Sequence, residues 1–160
     1  MIWMKRTGAI AAGIVALMAM GTTSSMAQEN GLSIDDIHWP YIDSYCTFVK
    51  EGQQFVFDDL ETWRFVAFSN FPEVAESDPL ERIFMRIDGG LRQLDLEKLT
   101  PGEGGTETRV YRSHDTLAYE VTMELNAGEK GYESTPYEGT ITVKRADLEA
   151  SVRFSGDCGV

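Results

Sequence analysis

The sequence has few of the residues on which several common classes of protein depend. Two cysteines in 160 residues are too few for a disulfide-stapled miniprotein or a four-thiolate zinc site. Lys and Arg number 14 against 26 Asp and Glu, a net charge of -12. This excess disfavours binding to nucleic acid or anionic membranes, because phosphate-rich partners would be repelled. The 42% of hydrophobic and 25% of charged residues are typical of a single globular domain.

The N-terminus has the three parts of a secretory signal peptide. Lys5 and Arg6 precede an uncharged, mostly apolar run of 14 residues. Ser25 and Ala27 then provide the small residues of a cleavage site, which predicts that residues 1–27 are removed. Because the apolar run is shorter than the roughly 20 residues that span a bilayer, a cleaved signal is favoured over a membrane anchor. We therefore expect a periplasmic or secreted protein whose mature chain is not inserted in a membrane.

Removal of the signal makes the chain more acidic. Residues 1–27 hold two basic and no acidic side chains, so the remaining 133 residues carry 26 acidic and 12 basic side chains, a net of -14. We predict a polar leader over residues 28–44, followed by one β domain over residues 45–160. Such a charge suits a basic protein partner.

Cys46 and Cys158 lie near the two ends of the predicted domain. In an oxidising compartment two cysteines most simply pair with each other, which predicts an intramolecular disulfide. A free buried thiol and an intermolecular bridge remain open as alternatives. A catalytic thiol is disfavoured, because neither cysteine belongs to a Cys-x-x-Cys pair or has a basic neighbour to lower its pKa.

The C-terminal half is dominated by hairpin signals. Asp88-Gly89-Gly90 predicts a tight turn between strands at residues 82–87 and 91–96, since Asp and Gly adopt the positive φ that such turns need. Further hairpins are predicted across residues 113–115 and 145–149. The clearest strand runs over residues 116–125, with a period of 2. Its predicted core face is formed by Leu117, Tyr119, Val121, Met123 and Leu125.

The N-terminal half is less regular. Residues 45–49 and 53–58 are predicted to form a hairpin across Lys50-Glu51-Gly52. The aromatic-rich run at residues 62–69 predicts a strand buried on both faces. The stretches 70–81 and 100–106 are predicted loops.

These strands predict an all-β fold with a single antiparallel meander of about eight strands. No strand alternates with a helix, which excludes a parallel α/β sheet. A closed barrel and a two-layer sandwich both satisfy the pattern and remain open.

The candidate catalytic and metal motifs are weak. Asp35, Asp36, His38 and Asp43 are residue types that bind metals, but they lack a recognised ligand spacing. The run at residues 113–115 has the residue types of a hydrolase triad. Triad side chains must converge from distant positions, however, so the run is better interpreted as a turn. We predict no catalytic residue, metal ligand or cofactor.

The aromatic residues are the most suggestive feature. Trp63, Phe65 and Phe68 cluster in one segment, and Tyr119 lies on the clearest strand. These four side chains are candidates for lining a cavity that holds an apolar ligand. The alternative is that they fill a small core.

Two resemblances to known families add to this interpretation. The early Cys46, the Asp-Gly turn, residues 137–143 (YEGTITV) and the tail Gly156-Asp157-Cys158-Gly159 resemble small uncharacterised secreted bacterial β proteins, which implies export. The chain also resembles periplasmic inhibitors of C-type lysozyme, which are small, exported, disulfide-tied barrels. The Ser-Gly-Ser-x-x-x-Tyr loop of that family is absent, so no functional residue is carried over.

The sequence leads us to expect an exported acidic β domain that is not an enzyme and that binds a protein partner in the cell envelope. Two alternatives remain: a lipocalin-like carrier of a small apolar ligand, and a cell-wall hydrolase.

Overall fold

The computed structural model describes residues 31–70 and 81–159. The predicted signal peptide and nearly all of the predicted loop 70–81 lie outside the described residues. Within the described ranges, no helix is both long and apolar enough to cross a membrane.

The described part of the chain forms eleven strands and one short 3-10 turn at Leu60–Thr62. The strands are β1 (Ile34–Asp35), β2 (Ile37–His38), β3 (Cys46–Lys50), β4 (Arg64–Phe65), β5 (Ala67–Asn70), β6 (Arg82–Ile87), β7 (Gly90–Pro101), β8 (Thr106–Ser113), β9 (Glu120–Ala127), β10 (Ser134–Arg145) and β11 (Leu148–Gly159).

Eight of these strands close into an antiparallel up-and-down barrel. β3 pairs with β5, β5 with β6, and each strand from β6 to β10 pairs with its successor. The ring closes where β11 returns to pair with β3. β1 adds to β6 beside the ring, and β2 pairs with β4 in a separate small sheet. The predicted meander is confirmed, and of the two open architectures the structure is the barrel.

The barrel has two distinct ends. The Asp88 end carries the tight turns after Ile87 and after Arg145 and the connection between β8 and β9. The disulfide end carries the bond between Cys46 and Cys158.

The core lies inside the barrel and follows the alternation of each strand. On β6, Ile83, Met85 and Ile87 are fully buried, whereas the residues between them are more exposed. On β9 and at Tyr119 just before it, the predicted core positions from Tyr119 to Leu125 are buried as expected. An eight-stranded barrel is just wide enough for such side chains to fill it, and each large apolar side chain buried there contributes about 1.5–3 kcal/mol.

The predicted Asp88-Gly89 hairpin is confirmed. Asp88 has a φ of 50° and Gly89 a φ of 72°, the pair of positive values that a two-residue hairpin turn of the mirror-image type requires. Gly89 adopts this conformation without steric cost, and Asp is among the few other residues that tolerate it.

The predicted strand at residues 53–58 is wrong. This segment forms a loop in which the Thr62 hydroxyl accepts from Val56 N (2.9 Å) and donates to Val56 O (3.0 Å). The neighbours of β3 are β5 and β11 instead. The alternation of Phe55 and Phe57 is typical of a strand, but here both side chains pack against Trp63 on the outside of the barrel.

The prediction that Leu117 lies on the core face is also wrong, because its side chain is 42% exposed. Strand β9 begins at Glu120, and the preceding residues form a turn. Asp115 Oδ1 accepts hydrogen bonds from the backbone N–H groups of Leu117 and Ala118, and Ala118 has a φ of 50°. This local bonding interrupts the alternation before Tyr119.

The predicted disulfide is confirmed, and it joins the first and last strands of the barrel. Cys46 and Cys158 are direct partners in the register between β3 and β11. Two residues along this seam, Gly156 faces Phe48, and an added Cβ there would collide with the backbone oxygen of Thr47. The seam therefore depends on close backbone approach as well as on the covalent link.

Removal of the disulfide should cost stability. The bond closes a separation of 112 residues, and the chain-entropy model gives about 4–5 kcal/mol for a loop of this length. We expect the Cys46→Ala/Cys158→Ala variant to lose most of this free energy of unfolding in urea denaturation. Wild-type protein after reduction is the matched control, because it keeps both sulfur atoms. The expectation would be contradicted if the free energies of unfolding of the variant and of the reduced wild type both lay within about 1 kcal/mol of that of the oxidised wild type.

Candidate functional site

A cluster of aromatic side chains covers the outside of the barrel over β3, β5 and β6. We call it the aromatic surface. Its members are Trp39, Tyr41, Phe55, Phe57, Trp63, Phe68 and Phe84.

The base of the aromatic surface is a small second core outside the barrel. Val49 lies on the opposite face of β3 from the inward-facing Phe48. It packs with Trp63 and Phe65, and the three side chains are buried together. The loop after β3 thus folds back over the outer face of its own strand.

Local hydrogen bonds hold this loop in place. The 3-10 turn is capped by Asp59, whose side chain accepts from Glu61 N, which satisfies one of the free amides of the turn. The indole Nε1 of Trp63 donates to the backbone oxygen of Phe57 at 3.2 Å. The position of the loop is therefore tied directly to Trp63.

Three aromatic rings gather around Trp63 and face solvent. Their centroids lie 5.2 Å (Phe55), 5.6 Å (Phe57) and 5.7 Å (Tyr41) from the Trp63 ring. Tyr41 is 73% and Phe57 72% exposed, while Trp63 is buried. Exposed aromatic area of this kind, supported by a fixed base, is characteristic of an interaction surface.

Tyr41 is held in a strained backbone conformation. Its φ is 60°, in the left-handed region that a bulky side chain rarely adopts. Such conformations persist where the surrounding structure enforces them, and they concentrate at functional sites. The residue with this strained backbone therefore carries one of the most exposed rings of the aromatic surface.

A groove runs along the same side of the barrel. Phe68 stacks on Phe84, its cross-strand partner, at 5.1 Å, and Trp39 meets Phe68 edge-on at 5.6 Å. The groove has a volume of about 240 Å³. It is lined by Trp39, Tyr41, Ile42, Asp43, Phe68, Phe84 and Leu91.

The surroundings of the aromatic surface are acidic. Residues 31–66, which build most of it, contain seven acidic and two basic side chains. Both basic groups already have partners, since Lys50 Nζ lies 2.8 Å from Asp36 Oδ1 and Arg64 Nη2 lies 3.8 Å from Glu61 Oε2. The surface therefore combines apolar area with uncompensated negative charge.

The four candidate cavity residues do not line one common cavity. Trp63 and Phe65 belong to the core outside the barrel, and Phe68 stacks on the outer face. Tyr119 alone lies inside the barrel, at the Asp88 end. Tyr41, Phe55 and Phe57 were not singled out from the sequence. The acidic residues beside them were the available signal, but residues 53–58 were predicted to form a strand.

A polar cluster closes the Asp88 end around Tyr119. Asp88 Oδ2 accepts from the Tyr119 hydroxyl (2.8 Å) and from Arg145 Nη1 (2.6 Å). Arg92 pairs with Asp115 at 3.0 Å. The guanidinium groups of Arg92 and Arg145 lie over the Tyr119 ring, 5.3 and 5.4 Å from its centroid. These cation–π and ionic contacts pair most of the polar groups that the barrel buries there, although Arg92 Nε has no hydrogen-bond partner among the described residues.

The pKa of Asp88 is lowered by these contacts. Burial acts to raise it, but the hydrogen bonds from Ser33 N and the Tyr119 hydroxyl and the charges of Arg145 and Arg92 outweigh burial. Conversely, burial raises the pKa of Tyr119, and the hydrogen bond to Asp88 raises it further. The cluster is therefore built around an ionised carboxylate and a neutral phenol.

A second buried ion pair lies inside the barrel. Glu81 Oε1 accepts from the Tyr111 hydroxyl and from Arg109 Nη1, both at 2.6 Å, and Arg109 Nη2 lies 2.7 Å from Glu107 Oε1. Burial, reinforced by Glu81, raises the pKa of Tyr111. These side chains bond to one another, so their role is to stabilise the barrel interior.

The residues considered for catalysis lie at the connection between β8 and β9. Ser113 Oγ donates to Asp115 Oδ1 at 3.0 Å and accepts from Tyr119 N at 2.8 Å. His114 Nε2 lies 2.8 Å from Asp95 Oδ2 and projects to solvent rather than toward Ser113 Oγ. The three side chains do not form a relay.

The residues considered for metal binding point to separate partners. Asp35 Oδ2 accepts from Gly89 N, Asp36 pairs with Lys50, and His38 Nε2 contacts the backbone oxygen of Leu60. Across residues 31–70 and 81–159, no three His, Cys, Asp or Glu side chains form a group that could hold a metal ion.

The polar cluster predicts a specific acid sensitivity. Because the pKa of Asp88 is lower in the folded protein than its ordinary value of 3.8, its ionised form contributes stability above that value. This stability is lost as the pH falls through the folded pKa. Asp88→Asn suits the turn, since Asn tolerates positive φ, and should flatten the decline of unfolding free energy below about pH 4.

The control for this measurement is Asp147→Asn, an exposed acid in the turn between β10 and β11 at the same barrel end. It should leave the acid limb of the pH profile unchanged. A profile of Asp88→Asn that parallels the wild type below about pH 4 would contradict the assignment.

Comparisons with known proteins identify no relative. No protein-family model, curated protein or solved structure matches the chain. Closed eight-stranded barrels occur in proteins of unrelated function, so the fold alone assigns none. The geometry and charge of the sites described above carry the functional argument.

Proposed function

We propose that this protein is an exported binding domain that is not an enzyme and that holds a basic protein partner on its aromatic surface. The carrying observation is the exposure of Tyr41 and Phe57 around the buried Trp63. Two exposed rings fixed on a buried third have little function in stabilising the fold, but they are preorganised for contact with another molecule.

The form of the surface supports a protein partner. Protein interfaces are enriched in Tyr, Trp and Phe at their centre and are surrounded by polar residues. Here the rings occupy the centre and Asp43, Asp58 and Glu61 lie in the same segments. Most of the binding energy in such interfaces comes from a few aromatic anchors, and the rigid rings around Trp63 suit this role.

The charge supports a basic partner rather than a second copy of the chain. Two copies meeting through the aromatic surface would bring together segments that each carry seven acidic and two basic side chains. Like charges facing each other oppose association, whereas a basic surface is attracted and its encounter accelerated. The same charge opposes anionic membranes and nucleic acid.

Export to the periplasm or the exterior is part of the proposal. The signal-like N-terminus and the Cys46–Cys158 bond both support it, since disulfides persist mainly in oxidising compartments. A small, disulfide-tied acidic barrel also suits a partner of the kind bound by periplasmic inhibitors of C-type lysozyme, which is a basic secreted hydrolase. The absence of that family's loop leaves the partner's identity to experiment.

A second candidate function is transport of a small apolar ligand, and the closed eight-stranded barrel favours it. In the half of the barrel near Asp88, however, large side chains such as Met85 and Ile87 fill the interior. Native mass spectrometry of the exported protein would detect a co-purified ligand. A cell-wall hydrolase is less favoured, because the Ser113 hydroxyl is bonded to Asp115 while the His114 ring contacts Asp95 on β7.

The proposal predicts where a partner cross-links. A photo-reactive amino acid at position 57 should give a discrete adduct with a basic protein in the envelope of the producing cell. The same group at position 132 is the control, since Tyr132 is fully exposed between β9 and β10, outside the aromatic surface. Raised salt should weaken the adduct at 57, because the attraction is partly electrostatic.

Affinity for the captured protein provides the quantitative test. The Tyr41→Ser/Phe57→Ser variant should bind it at least about tenfold more weakly, in line with the loss of central aromatic anchors. Tyr132→Ser should bind as the wild type does. Equal adducts at positions 57 and 132, or none at 57, would contradict the proposal.

A further inference from the structure

We infer that the groove beside Trp39 accepts an arginine side chain of the basic partner, with Asp43 as the counter-ion. The inference rests on the proposed function and adds the chemistry of the principal contact. It follows from the size of the groove, its lining and the state of its one carboxylate.

The groove is the size of a side chain. Pockets for drug-sized ligands measure about 300–1,000 Å³, and this groove measures about 240 Å³. Its apolar lining includes Phe68, Phe84 and Leu91. The apolar stem of a long side chain fits such a lining, because Lys and Arg bury their methylene groups while the charged head stays near water.

The walls favour a planar cation. Trp39 and Tyr41 present aromatic rings, whose faces attract guanidinium and ammonium groups. Arginine stacks on such rings and also meets a carboxylate with two parallel hydrogen bonds. Lysine has a compact, strongly hydrated head that does neither as well, so the lining favours arginine.

Asp43 is the free charge of this site. Among residues 31–70 and 81–159 its carboxylate makes no hydrogen bond or ion pair, whereas the Asp36 and Glu61 carboxylates are paired with basic side chains. The two arginines of β6 have other partners. Arg82 Nε lies 3.4 Å from Asp95 Oδ1, and Arg86 Nε donates to Gly89 O.

The barrel uses the same chemistry at its Asp88 end. There Arg92 and Arg145 lie over the Tyr119 ring while Asp115 and Asp88 accept from them. The groove has the aromatic rings and the carboxylate of such an arrangement but lacks the guanidinium, which the partner would supply.

The test uses Nα-acetylarginine amide as the probe and Nα-acetylcitrulline amide as its neutral analogue of the same shape. Both are titrated into the intact, oxidised protein and followed by backbone and indole NMR shifts. The arginine probe should shift the Trp39 indole and the amides of Phe84 and Leu91, with an affinity at least about threefold above that of citrulline. Asp43→Asn should remove most of this preference for arginine and leave the smaller part that the aromatic rings supply.

Asp58→Asn is the matched control, because it removes the same charge from the same acidic surface outside the groove lining. It should change arginine affinity little. Equal binding of the two probes, equal weakening by both variants, or no shift at the groove would overturn the inference. If these results appear while the position-57 adduct persists, the proposed function stands without the arginine contact. Arginine binding without any adduct would overturn the assignment of the groove to a protein partner.

Discussion

The pairing of β3 with β11 is the constraint on which the rest of the structure depends. It turns an open meander into a ring, so that every barrel strand has two neighbours and the apolar face of each is removed from water. Gly156 allows the backbones to approach, and the Cys46–Cys158 bond holds them there. With its inner face committed to the core, β3 uses its outer face to carry Val49, the base of the aromatic surface.

Most of the fold could be predicted from the sequence, because the signals are local. The Asp88-Gly89 turn and the alternation from Tyr119 to Leu125 each depend on a few adjacent residues. The predicted disulfide brings the two ends of the domain together across 112 residues, but it fits a barrel and a sandwich equally, and no local pattern encodes the pairing of β3 with β11 that closes the ring. The 53–58 loop was mistaken for a strand because alternation of aromatic residues resembles a strand pattern whether they face a core or Trp63.

The candidate site was only partly predictable for a related reason. Composition pointed to the aromatic run at residues 62–69, but whether its rings face the interior or the outside depends on register. Inside the barrel, the tyrosine hydroxyls donate hydrogen bonds to buried carboxylates, Tyr111 to Glu81 and Tyr119 to Asp88. Outside, Tyr41 and Phe57 have apolar area without a covering neighbour among the described residues. The interior thus pairs its charged and hydroxyl groups, whereas the exterior leaves aromatic area exposed, which supports the proposed binding surface.

The pairing of β3 with β11 also fixes when the outer surface of the barrel can be completed during folding. β11 is synthesised after every other strand of the barrel, yet its partner β3 comes first. Until β11 pairs with β3, the backbone groups along one edge of β3 have no partner strand. The strand that carries Val49 against Trp63 is then held by β5 alone. Domains assemble from what has already emerged, so the chain presents its finished outer surface only when its last strand is in place. A chain that lacks β11 would therefore carry Val49, against which Trp63 packs, on a strand with one unpaired edge.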